Sequence, residues 1–114
     1  MSIDVMDLAG DITRAASDVI ETDVRMIRTF SERQVEALAQ QAAFVTEGIV
    51  SGSITDNTSE FFLDELEHMA ESFAKTLVRM NSVLIEKVWN AVVGVIWQAI
   101  ERAAGIALPL PMLG

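Results

Sequence analysis

Cysteine and tyrosine are absent from this chain, histidine occurs once and proline twice. Without cysteine there is no disulfide and no thiolate-ligated metal, and nothing in the residue usage indicates a redox compartment. Basic residues are scarce. Eight Lys and Arg against seventeen Asp and Glu give a formal net charge of -9, which cannot supply the phosphate-neutralising surface that nucleic-acid binding demands. A basic leader is missing too: MSIDVMDLAG carries two aspartates and no Lys or Arg, unlike a signal or transit peptide, so entry by an N-terminal signal is not expected. Long hydrophobic runs are also lacking. Val88–Ile100, VWNAVVGVIWQAI, is uncharged for thirteen residues, short of the roughly 18–20 that a bilayer-spanning helix needs.

What the sequence does hold is apolar residues at helical spacing. They make up 51% of 114 residues, which excludes a disordered chain despite its acidity and provides one modest core. Val5, Ala16, Ile27, Leu38 and Ile49 recur at steps of eleven, as do Phe62, Phe73, Leu84, Val95 and Ile106. An eleven-residue repeat is that of a nearly straight α-helix, at about 3.67 residues per turn. Between the two series, GIVSGSITDNTSE is turn and cap chemistry. Asn57 and Glu60 have capping-box spacing there, with Asp56, Thr58 and Ser59 as equal alternatives. The acidic blocks at residues 1–23 and 56–71 favour helix N-termini through the helix dipole, and Arg14–Asp18, Glu21–Arg25 and Arg28–Glu32 are i,i+4 pairs on a solvated face. The pattern predicts an all-α single domain, a long two-helix antiparallel hairpin. Helix one covers about 3–50, a turn 51–59, helix two about 60–106, and an apolar tail 107–114. Each helix would be about 70 Å long.

Such a hairpin buries one stripe of each helix. At 100° per residue Trp97 lies about 180° from the seam residue Val88, with Val93 beside it, while Ile85, Trp89, Ile96 and Ile100 form a flank about 100° from the seam. Pro109 and Pro111 force Leu108 and Leu110 into an extended tail, which folds back on its own hairpin or docks on a neighbouring subunit. Contiguous apolar surface of this kind marks a protein or membrane contact. The expectation is that Ile85, Trp89, Val93, Ile96, Trp97, Ile100, Leu108 and Leu110 form the interface of a homo-oligomeric helical bundle. The alternative is a membrane-associated protein acting through its apolar C-terminal half.

Chemical motifs are few. Glu65-Leu66-Glu67-His68 has the E-x-x-H spacing that carboxylate-bridged metal sites use, because residues i and i+3 project from one helix face. A complete site also needs inward glutamates from other helices, which helix one lacks, so no metal or other cofactor is expected. A metal-binding assembly doubling Glu65 and His68 across a symmetry axis is the lesser alternative. No serine or threonine has a base held by an orienting group, and no Gly-rich phosphate loop follows a strand. No enzyme activity is expected.

From Phe44 to about residue 100, a helix end with E-G-I passes through a short polar loop with glycine into a helix carrying ESFAKTLVRM. This arrangement resembles the stretch of phage tail tape-measure proteins where a helix ending in a D-G-like turn leads to a helix with an FA..L.R pattern. The resemblance implies an α-helical virion component, non-enzymatic and present in several copies, that meets other copies, other tail proteins or a membrane. One unbroken helix of 114 residues would span only about 170 Å, so the implied role is that of a short or processed relative and not a long ruler. Secreted hairpins of the WXG type carry Trp-x-Gly at the turn, where this chain has no tryptophan.

Overall fold

The computed structural model describes residues 3–21, 24–80 and 84–111. Among them lie four α-helices and no strand: α1 (Val5–Ile20), α2 (Val24–Ser51), α3 (Asp56–Met80) and α4 (Ile85–Ala104). The side chains of Val24, Phe30 and Met80, all at seam positions of the helical repeat, lie outside the described residues.

Local chemistry sets the helix ends. Asp4 has extended backbone and its carboxylate accepts the N–H of Asp7 at 3.1 Å, an N-cap for α1. The helix stops at Glu21, which takes the left-handed conformation (φ 54°) and donates its N–H to the Ser17 carbonyl. At the end of α2, Gly52 turns the chain at φ 83°, and Ile54 folds back to donate its N–H to the Gly48 carbonyl at 2.8 Å. A methyl group at Gly48 would overlap the Ile54 side chain, which would have to swing away from its buried position. Thr55 then caps α3: its carbonyl accepts from Thr58 and Ser59, and its own N–H donates to Thr58 Oγ1 at 2.9 Å. This back-reaching bond has capping-box logic, but it uses Thr55 and Thr58 in place of Asn57 and Glu60. Leu84 precedes α4 without any side-chain cap, and Gly105 (φ 72°) closes that helix by donating to the Glu101 carbonyl.

The helices pack as a flattened bundle. Helix α2 touches α1, α3 and α4, and α4 touches α1, α2 and α3, so α2 and α4 form the short diagonal with α1 and α3 on either side. Short connections between successive helices make them antiparallel neighbours. The core takes Leu8, Ile12 and Ala16 from α1, Leu38 and Ala42 from α2, Leu66, Phe73 and Leu77 from α3, and Val88, Val92, Ile96 and Trp97 from α4. Buried hydroxyls of Thr13 and Thr46 bond to the carbonyls four residues earlier. Arg14 pairs with Asp11 and not with Asp18, an exposed ion pair that contributes little.

The all-α expectation holds, whereas the long two-helix hairpin does not form. The molecule measures 41 × 29 × 19 Å with a radius of gyration of 13.5 Å, close to the roughly 13 Å of a compact chain this long. Two 70 Å rods are incompatible with those dimensions. The cause is a helix stop after Ile20 and another after Met80. Each half folds back on itself, and four shorter helices supply the neighbours that a hairpin lacks.

Candidate interaction surface

Helix α4 is apolar on nearly every side, the signature of a buried helix, and the fold treats it that way. Of the residues expected at a subunit interface, Trp89, Val93, Ile96, Trp97 and Ile100 are all buried within the single chain, Trp97 at 2% exposure. Ile85 and Leu108 are half-buried against the same core. Leu110 alone of that set is exposed. The surface that a hairpin would have left in water is covered by α1, α2, α3 and the tail.

The tail runs back along α4. Leu108 N–H donates to Glu101 Oε2 at 3.1 Å, and the Trp89 indole N–H donates to the Pro111 carbonyl at 3.2 Å. Pro109 and Pro111 cannot offer backbone N–H groups, so these bonds use a carboxylate and an indole from the helix in place of a strand partner. Among the described residues no helix is long and apolar enough to cross a membrane.

Glu65 and His68 both lie exposed on α3. Among the described residues, no three or more His, Asp and Glu side chains are grouped so that they could hold a metal ion. The perturbed group in this stretch is Glu67. Partial burial first, then the charge of Asp64 and a hydrogen bond to it, hold its carboxyl above the ordinary value of 4.5, with His68 acting weakly in the opposite direction.

Three of the exposed large apolar side chains, Phe44, Val50 and Phe61, gather at the α2–α3 turn. Gln34 Nε2 donates to Thr76 Oγ1 at 3.3 Å and the Phe44 and Phe62 rings lie 5.9 Å apart, which fixes the antiparallel register of these two helices. The first turn of α1 reaches α2 only at the level of Gln40, where Val5 and Met6 line a shared groove with it. Beyond that level α2 and α3 run on to their connecting turn, the tip. Phe44, Phe62 and Phe61 form a continuous row there, with Phe61 and Phe62 edge to face at 5.3 Å. Phe44 is 56% exposed and Phe61 68%. Phe44, Val50 and Phe62 also line a shallow groove of about 770 Å³ that crosses the tip beside Gly48 and Ile54.

Charge surrounds this aromatic row. Residues 34–74 contain eight acids and no Lys or Arg, and Glu47, Asp56, Glu60, Asp64 and Glu65 are all exposed around the turn. The sequence signal for this surface is the Phe61-Phe62 pair: adjacent helical residues point about 100° apart, so both cannot enter one seam. Comparison with family models, with curated proteins and with solved structures finds no match for this chain.

Proposed function

We propose that this chain is a non-enzymatic helical structural protein that self-assembles through the aromatic tip of the α2–α3 hairpin. The carrying observation is the row of Phe44, Phe62 and Phe61, two of whose rings lie largely in water at the end of a chain whose other large aromatic side chains on α3 and α4 are buried. Exposed aromatic clusters rimmed by polar groups are what interface hot spots are made of. Binding in place of catalysis is supported by the exposed position of His68, the chain's one histidine, on the outer surface of α3. Multi-copy assembly also accords with the tape-measure resemblance, which begins at Phe44.

Sedimentation velocity over a range of protein concentrations tests this reading. The wild-type chain should show mass that increases with concentration, and Phe61→Asp should shift it to monomer while leaving the helical circular dichroism unchanged. A wild-type protein that stays monomeric throughout would refute self-assembly, and a Phe61→Asp protein that assembles as well as wild type would refute the tip as its site.

A further inference from the structure

Resting on that reading, we infer that the assembly is head to tail: the tip of one copy seats on the opposite end of the next. Charge decides between this and a symmetric tip-to-tip dimer. A tip-to-tip contact would bring the exposed Glu47, Asp56, Glu60, Asp64 and Glu65 of two copies together with no base beside them, and charges that close are little screened by salt. Like charges placed across an interface oppose that pairing strongly.

The far end of the bundle is different in charge and carries its own unsatisfied apolar residues. The register fixed by Gln34 with Thr76 puts Met26, in the first turn of α2, level with the α3–α4 connection. Met26 is 47% exposed and Leu84, in that connection, 69%. Arg25, Arg79 and Lys87 are exposed on the adjoining turns of α2, α3 and α4, interspersed with the exposed Asp18, Glu21 and Glu86. Residues 17–33 and 75–90 together hold six of the chain's eight bases, against five acids. One end thus offers aromatic rings within a carboxylate rim, and the other offers aliphatic side chains where bases and acids nearly balance. Tip on tip sets like charges together, whereas tip on far end does not.

A contact between two different patches leaves one free tip and one free far end after every addition, so growth is open-ended unless the rotation closes a ring. The mode of assembly is therefore readable from a pair of half-dead variants. Phe61→Asp disables the tip. Leu84→Asp disables the far end and cannot be dismissed as unfolding, because Leu84 occupies an N-cap position that lacks a side-chain bond, where aspartate is a preferred residue.

Each variant alone should lose at least about 30-fold in association, the scale of an interface hot spot. An equimolar mixture should regain a 1:1 dimer and stop there, since it contains one working tip and one working far end. Analytical ultracentrifugation with one variant carrying a fluorescent label reads this directly. If Leu84→Asp by itself forms a stable dimer, or if the wild type assembles while the mixture stays monomeric, the head-to-tail arrangement is overturned and self-assembly stands. A monomeric wild type removes both.

Discussion

Replacing Trp97 by alanine deletes a side chain that is only 2% exposed at the centre of the bundle. Such large-to-small changes cost about 3–5 kcal/mol through lost burial and the cavity left behind, so the denaturation midpoint of Trp97→Ala should fall steeply. The loss should be independent of protein concentration, because the indole packs inside one chain. Glu67 behaves differently. Its carboxyl titrates above the ordinary range in the fold, so ionising it weakens the native state. That penalty is absent below the ordinary carboxylate pKa and fully present above the raised folded one. Glu67→Gln should accordingly stabilise the protein at neutral pH, with the gain shrinking to nothing as pH falls through the acidic range. Paired denaturation curves at pH 7 and pH 4 check this, and an equal gain at both values would contradict the assignment.

At the scale of elements, the helical class and much of the core were legible in the sequence. Leu8, Ile12, Ala16, Leu38, Leu66, Phe73, Leu77, Val88 and Val92 fall on the repeat and are all buried. The breaks were not legible, and the reason is specific. Glu21 ends α1 in a left-handed conformation that glycine or asparagine usually announces, and the step from Ala16 to Ile27 carries the period straight across the stop. Asn81 and Ser82 are turn-forming types, yet Leu84 sits on the repeat and masks them. Once the two stops are in place, α4 gains α1, α2 and α3 as neighbours and keeps the face of Glu86, Asn90 and Gln98 in water, and a surface assigned to other subunits becomes core. The tail is the element that completes this cover. A chain ending at Gly105 loses the Leu108 packing and the Trp89–Pro111 hydrogen bond, which should lower stability by about 1–3 kcal/mol and shift tryptophan emission to the red. Unchanged emission would mean that the tail does not cover Trp89.

For the whole molecule, these features describe a bundle that needs no partner to bury its tryptophans and carries its exposed aromatic side chains at the α2–α3 turn. The aromatic tip is not legible in the eleven-residue repeat, which takes Phe62 into the seam and gives Phe61 no place, although the two cannot share one face. Amide hydrogen exchange at low and high protein concentration tests the central claim most directly, because it reports which backbone becomes protected when copies meet. The α4 amides between Val88 and Ile100 should be protected equally at both concentrations, while protection around Phe44 to Phe62, and around Met26 and Leu84, should increase with concentration. Protection of α4 that depends on concentration, with an indifferent tip, would contradict the account and return the tryptophan face to the interface.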